Sequence, residues 1–317
     1  MTHSSQDNGA KVSTRFRVSP DMHGLRADQY LMRRIGWISR ARAQRIILAK
    51  DFLLDNLPIK PAARVKSGQE ATLMRFAPDR SNDVDDFLVE TIFVDDDLLV
   101  VNKPAGLSIH PSANCLYKTL THWLRKNYPG QKINPCHRLD KETSGLVVCA
   151  KNRQAESMIK SSFMRGLVHK TYLAIAHGVV QQSQTIEMPL GLQKTRGLVA
   201  IRMIKDDSGK PAVTKIRPLL TDKTKSRTLL ACRPLTGRQH QIRAHLSLIG
   251  HAIIGDKLYS MGDDFFDRLS KGQDVRASLA HPRHALHATR LRLKLKGKSY
   301  IFKCPLPADL LALIAKT

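Results

Sequence analysis

The chain is poor in cysteine and in acidic residues, and it lacks long apolar runs. Its five cysteines, Cys115, Cys136, Cys149, Cys232 and Cys304, form an odd set with no CxxC spacing. That excludes a disulfide framework and leaves no cysteine zinc site. No apolar stretch approaches the roughly 20 residues that cross a bilayer. The first ten residues are polar, without the basic-then-apolar order of a secretory signal. A cytoplasmic protein with no membrane association is therefore expected. GxxxxGK[ST], GxGxxG, GxSxG and HExxH are all missing, which argues against P-loop, dinucleotide, serine-hydrolase and zincin chemistry. His281, His284 and His287 are spaced by three, but Pro282 breaks the first step and no carboxylate or thiol accompanies them. No metal is expected there.

The charge balance is lopsided: 52 Lys+Arg face 27 Asp+Glu, for a net +25. Such an excess suits a polyanion, because each phosphate contact releases counterions and adds sequence-independent affinity. Plain solubility is the competing reading. A membrane surface is disfavoured, since no basic amphipathic helix with an aromatic face is evident. The acidic residues cluster: Asp83, Asp85, Asp86, Glu90, Asp95, Asp96 and Asp97 lie together, and no Lys or Arg falls between Arg80 and Lys103. This stretch reads as a junction facing away from a phosphate backbone.

Four segments follow: a loose tail over 1–15, a small module over 16–76, an acidic linker over 77–90 and a large domain over 91–317. In the small module, Leu25, Leu31 and Ile35 suit one helical face, and Ser39 can cap a second helix with Ala43, Ile46 and Ile47 inward. Arg33, Arg34, Arg40, Arg42 and Arg45 cluster on these helices, either to meet RNA or as a solvated face. Short strands are expected at Phe52–Leu54, Ile59 and Val65–Leu73, with a turn at Asp55-Asn56. The module resembles the S4 RNA-binding domain, with Ser39-Arg40-Ala41-Arg42-Ala43-Gln44 matching its helix start.

In the large domain, Thr91–Val94 and Leu98–Val101 read as strands around an Asp95–Asp97 turn. Leu146–Ala150 is an apolar run fit for a buried strand, and Tyr172–Val180 is another strand candidate. Arg290–Lys296 alternates strictly, with Leu291, Leu293 and Leu295 on one face. Strands outnumber helices, so the expected class is α+β: a mixed, mainly antiparallel sheet with flanking helices, beside the small α/β module.

The chemistry concentrates at His137-Arg138-Leu139-Asp140-Lys141-Glu142-Thr143-Ser144-Gly145-Leu146, where a charged cluster runs into the apolar strand. Asp140 beside Arg138 and Lys141 can stay ionised in a partly desolvated site, because nearby cations favour the carboxylate. A surface ion-pair cluster is the plainer alternative.

This segment resembles the HRLDxxTSG motif of RNA pseudouridine synthases. Other blocks agree in order. Lys103-Pro104-Ala105-Gly106 with His110-Pro111 resembles the KPxGxxxHP block. Lys170-Thr171-Tyr172-Leu173-Ala174 resembles KxYxA, and Gly209-Lys210-Pro211-Ala212-Val213-Thr214 resembles GKxAxT. The stretch from Arg233 to His245 resembles RPxTGRxHQIRxH, and Leu286-His287-Ala288 resembles the late LHA signature. Tyr117-Lys118 stands where the family usually has a glycine.

The resemblance implies a cofactor-free isomerisation of uridine, in which the base leaves the sugar through nitrogen 1 and rejoins through carbon 5. It gives Asp140 the catalytic role, as nucleophile toward sugar or base or by way of a glycal. Tyr172 is expected to stack on the uracil and take the carbon 5 proton. Thr236-Gly237-Arg238-Gln239 reads as a capping box, which places Arg238 in the first turn of a helix as the partner of Asp140, or on a phosphate. The target must be flipped out of its stack. Arg138 is expected to fill the vacated space or hold a phosphate, Leu146 or another residue of its apolar run to line the base pocket, His137 to be a structural or RNA contact in preference to a general base, and Lys103 and Arg243 to contact RNA. The expected partner is structured RNA, ribosomal in preference to transfer RNA, met by a monomer. A non-catalytic RNA-binding or ribosome-assembly protein and a tRNA-directed synthase are the alternatives.

Overall fold

The computed structural model describes residues 11–35, 40–76, 87–111, 117–193, 202–261, 265 and 279–314. Ser39, Cys115 and residues 77–86 of the acidic stretch lie outside these. The chain divides into two units, Met1–Ser81 and Asn82–Thr317.

The first unit contains β1 (Lys11–Arg17), α1 (Ala27–Ile35), α2 (Arg40–Leu48), β2 (Phe52–Leu54), β3 (Leu57–Pro58) and β4 (Glu70–Phe76). The strands form an antiparallel sheet in the order β1-β4-β2-β3. This corrects the expected tail: residues from Lys11 pair with β4, Lys11 opposite Phe76 and Arg17 opposite Glu70. Asp55 and Asn56 both take positive φ, 49° and 63°, which gives the tight turn whose twist matches a hairpin. Tyr30, Leu31, Ala43, Ile47, Phe52 and Val65 build the core. Beneath them Asp28 is fully buried and receives Arg26, Arg40 and Gln44 through its carboxylate oxygens. Those donors hold its carboxyl well below the ordinary Asp value, the hydrogen bond from Arg26 foremost, against the opposing effect of burial.

The second unit is built on a ten-stranded sheet. Its strands are β5 (Glu90–Val94), β6 (Leu98–Lys103), β7 (Asn134–Pro135), β8 (Ser144–Ala150), β9 (His169–His177), β10 (Gln184–Glu187), β13 (Val213–Asp222), β14 (Arg227–Pro234), β15 (Leu286–Leu295) and β16 (Lys298–Lys303). The order is β10-β13-β14-β9-β15-β8-β6-β5, with β16 beside β15 and β7 beside β8. Every pairing is antiparallel except β15 with β8. A separate two-stranded ribbon joins β11 (Leu190–Leu192) and β12 (Met203–Lys205). Helices α3 (Leu120–Asn127), α4 (Arg153–Met164), α5 (Gln241–Leu248) and α6 (Ala308–Ile314) flank the sheet. The expected α+β class holds. The unit begins earlier than residue 91, since Val89 is already buried in its core.

β8 is buried along its whole length because it is covered on both faces. Leu146, Val148 and Ala150 pack on Ala155 and Ile159 of α4, while Val147 and Cys149 pack on Leu120 and Leu124 of α3. Such a strand reads as a continuous apolar run. At its start, Gly145 has φ +114°, and a Cβ there would lie 2.4 Å from the carbonyl oxygen of Ala288. Only glycine lets β8 approach β15 so closely, and this fixes where the preceding loop emerges. In β15, Leu291, Leu293 and Leu295 are buried while Arg290, Arg292 and Lys294 are exposed.

Candidate active site

The loop from Cys136 to Thr143 enters β8, and nearly every residue from Asp140 onward is tied down. The Thr143 N–H donates to the Asp140 carbonyl at 3.1 Å. The Lys141 carbonyl accepts from the Gly106 N–H at 2.8 Å and from Lys103 Nζ at 3.2 Å. Arg283 Nη1 donates to the Glu142 carbonyl at 3.2 Å. The hydroxyl of Thr143 meets His284 Nε2 at 2.7 Å, and that of Ser144 meets His287 Nδ1 at 2.9 Å. The Glu142 side chain pairs with Lys257 and accepts from the His284 N–H. A loop held in this way presents Asp140 in one position before substrate arrives, which is what electrostatic preorganisation requires.

Asp140 is held by Arg243, not by Arg238. Arg243 Nη1 donates to Asp140 Oδ2 at 2.9 Å. Its Nε and Nη2 donate to Asp256 Oδ2 and Oδ1 at 2.7 and 2.8 Å, so one guanidinium bridges two carboxylates. Its Cζ also lies 5.2 Å from the centre of the Tyr259 ring. Asp256 is fully buried and accepts further from the Leu258 and Tyr259 N–H groups at 3.0 and 3.1 Å. Arg243 is thus buried in the protein interior, and its expected role as an RNA contact is corrected.

Arg238 lies outside helix α5, which starts at Gln241 after His240 in the left-handed region. The Gln241 side chain organises the turn instead. Its Oε1 accepts from the Arg238 N–H at 2.9 Å and the Thr236 hydroxyl at 2.7 Å. Its Nε2 donates to the Val213 carbonyl. Arg238 Nε is bonded to the Pro211 carbonyl at 2.9 Å, though the residue still lines the cavity.

Burial opposes ionisation of Asp140, but His240 and the Arg243 guanidinium outweigh it and its carboxyl lies below the ordinary Asp value. His240 Nε2 is 3.9 Å away. Burial pushes this imidazole down to about 4, so near neutral pH Arg243 is the cation that acts. Tyr172 shifts the opposite way: burial and the Asp140 charge raise its phenol, which stays protonated at neutral pH.

Asp140, Tyr172, Arg138 and Arg243 line a cavity of about 800 Å³ whose apolar walls include Phe163, Val168, Ile242 and Leu286. Leu146 is not among them. It packs into the core against Val148 and Ile159, so the base-pocket expectation is corrected in favour of these walls. Arg138 is exposed and also lines the neighbouring pocket with His110 and Lys160. His137 turns inward: its Nε2 accepts the Val148 N–H at 3.0 Å and its ring lies 4.7 Å from that of Phe163. Burial pushes it down to about 3.

Lys103, expected on RNA, is fully buried. Its ammonium donates to the carbonyls of Pro104, Leu107 and Lys141 at 2.8, 2.8 and 3.2 Å, and so ties the 104–107 turn to the Asp140 loop. Burial pushes its amine down to about 7. In the first unit Arg33, Arg34, Arg40 and Arg45 are exposed and Arg42 is half-buried. Arg40 is paired with Asp28, and Arg34 lies over the Phe16 ring at 5.1 Å. Asp256 and Gln241 carry no role in the sequence reading. The available signal for Asp256 was the Gly255-Asp256 pair, which with Gly250-His251 continues the family resemblance but carried no role.

The family model for RNA pseudouridylate synthases matches residues 97–248, which span the Asp140 loop, Tyr172 and helix α5. A ribosomal large subunit pseudouridine synthase D of Nitrosomonas europaea is 33% identical, over 98% of this chain and 89% of its own. An RNA pseudouridine synthase of Helicobacter pylori is 36% identical, over 68% of this chain and 73% of its own. The solved structure of human RNA pseudouridylate synthase domain containing 1 superposes with a TM-score of 0.57 at 29% identity, covering 71% of this chain and 85% of that one. With a near-full-length relative at this identity, the chain belongs to the RNA pseudouridine synthase family, the enzymes that isomerise uridine within RNA.

Proposed function

We propose that this enzyme converts a uridine of large-subunit ribosomal RNA to pseudouridine, with Asp140 as the nucleophile. The observation that carries the catalytic assignment is the Arg243 bridge: it keeps Asp140 ionised and aimed into a cavity that also contains Tyr172. A carboxylate pinned by one guanidinium nitrogen keeps its other oxygen free to attack. Asp140 bonds to the sugar carbon as the glycosidic bond to nitrogen 1 breaks, the base turns between the Tyr172 ring and the apolar walls, and carbon 5 displaces the Asp140 oxygen as it bonds to the sugar carbon. The proton on carbon 5 must then leave. Tyr172 is held protonated, so as a base it has to hand its own proton onward in the same step, and nitrogen 1, freed from the sugar, takes up the proton that balances the isomerisation.

Ribosomal RNA is favoured over tRNA as substrate because several near-full-length relatives are named ribosomal large subunit pseudouridine synthases. The first unit acts in this reading as an S4-like RNA-binding module through the exposed Arg33, Arg34 and Arg45. The exposed Arg138 stands at the cavity edge, placed to fill the gap left by a flipped base. The enzyme works as a cytoplasmic monomer, where ribosomal RNA is met. Among the described residues no helix is long and apolar enough to cross a membrane.

The test is pseudouridine mapping by carbodiimide-dependent reverse-transcription stops on unmodified ribosomal RNA and tRNA, incubated with the protein alone. Stops in large-subunit RNA support the reading. Stops only in tRNA move the substrate. No stops with tight binding point to a binding protein.

A further inference from the structure

The active-site cavity does not end at its chemistry. Past Gly166 and Leu235 it runs into a second hollow of about 280 Å³, and the two share a lip of common residues that includes Lys170. This hollow is lined by Arg233 of β14, His169 of β9 and Arg290 and Arg292 of β15. These three strands are neighbours in the sheet, in the order β14-β9-β15. No carboxylate lines the hollow, and β9, β14, β15 and β16 contain no Asp or Glu.

The three arginines are exposed, and among the described residues none is ion-paired. Two of them are also set against like charge. Arg233 stands directly opposite Lys215 on β13, and Arg290 directly opposite Lys303 on β16. Like charges facing each other across strands destabilise a sheet. A fold gains nothing from such an arrangement unless something anionic relieves it. Arginine, with its planar fork of donors, suits phosphate oxygens better than a lysine point charge does. Arg290 and Arg292 lie on one strand face about 7 Å apart, a regular spacing along a rigid element.

We propose that this hollow is a phosphate track for the RNA strand that flanks the target uridine, continuous over the Gly166–Leu235 lip with the catalytic cavity. It rests on the reading of the cavity as the uridine site. It adds that Arg233, Arg290 and Arg292 bind backbone without reading sequence, and so contribute affinity and not chemistry.

The experiment compares the full-length wild type with the triple variant Arg233→Ala/Arg290→Ala/Arg292→Ala. The probes are a uridine-loop RNA hairpin with single-stranded flanks and the same hairpin cut flush, both fluorescently labelled. Affinity is measured across a salt series and melting temperature without RNA. For the flanked hairpin the variant is expected to lose about tenfold in affinity, and the slope of log affinity against log salt to fall by about 2. The flush hairpin should be bound as before, and the melting temperature should hold or rise. A lysine triple variant should keep most of the slope, since the charges remain. An unchanged affinity and slope on the flanked hairpin overturns the track. So does an equal loss on both hairpins together with a lower melting temperature, which marks a structural role. Turnover of ribosomal RNA by the wild type is read separately. If it is absent while the slope still falls, the catalytic reading fails and the track stands.

Discussion

Arg243 lies between two carboxylates, 2.9 Å from Asp140 Oδ2 on one side and 2.7 Å from Asp256 Oδ2 on the other. The second contact explains why the first can be trusted to stay in place. Asp256 is buried and fixed by two backbone N–H groups, so it orients the guanidinium that in turn orients the Asp140 carboxylate.

Asp256 is therefore a positioning residue. Asp256→Asn should lower kcat by about 10²-fold, the scale of loss from a small misplacement of a reacting group. RNA affinity should stay near that of the wild type. Asp256→Ala should cost about 3 kcal/mol or more of stability, because it leaves a buried guanidinium short of a partner. Single-turnover kinetics and filter binding separate these, and an Asn variant with wild-type kcat would show that Asp140 needs no such support.

Tyr172 is half-buried, with its phenol held protonated beside Asp140. Tyr172→Phe keeps the ring and removes the hydroxyl. If the hydroxyl carries the carbon 5 proton away, kcat should fall by about 10²- to 10⁴-fold with RNA binding unchanged. Tritium release from RNA labelled at uracil carbon 5 measures that step directly, and normal release by the Phe variant removes the hydroxyl from the mechanism.

Lys103 connects three carbonyls and touches no solvent. Lys103→Met should cost about 3 kcal/mol by leaving those acceptors unsatisfied, with the loss seen in thermal melting. An RNA contact would behave differently, since stability would hold and only the salt dependence of binding would weaken.

Glu142 gives a pH dependence of stability. His284 and Lys257 hold its carboxyl down to about 2, against burial and below its ordinary 4.5. A depressed carboxylate stabilises the fold above the unfolded value, and that contribution is lost as pH falls from about 4.5 toward about 2. Glu142→Gln should therefore melt below the wild type at neutral pH, by about 2 kcal/mol after allowing for its partial exposure, and the gap should close in acid. A gap independent of pH would mean that packing, and not charge, carries the effect.

What was legible in the sequence follows from what kind of signal each residue leaves. Asp140 and Tyr172 sit inside ordered motifs, and strands β5, β6, β8 and β15 show apolar runs or strict alternation. Arg243 was hidden by helix phase. Gln241 bonds back to Thr236 and mimics a capping box, while His240 adopts a left-handed conformation and delays the helix to Gln241. That shift exchanges which arginine reaches the carboxylate. Leu146 was misplaced because a strand buried on both faces has no polar face to give its orientation. Lys103 was read as a surface cation because the carbonyls that surround it come from a turn and from a distant loop, and backbone acceptors leave no mark in a sequence.

The most direct test of the account is Asp140→Asn assayed beside the wild type for pseudouridine formation in unmodified large-subunit ribosomal RNA. The substitution keeps the size and the neutral hydrogen bonding of the side chain and removes its charge and nucleophilicity. The expected result is stops at defined uridines with the wild type, none with the variant, a loss of at least about 10⁴-fold in rate and RNA affinity within a few fold. Pseudouridine formed by the Asn variant at a comparable rate would contradict the assignment of Asp140 as nucleophile.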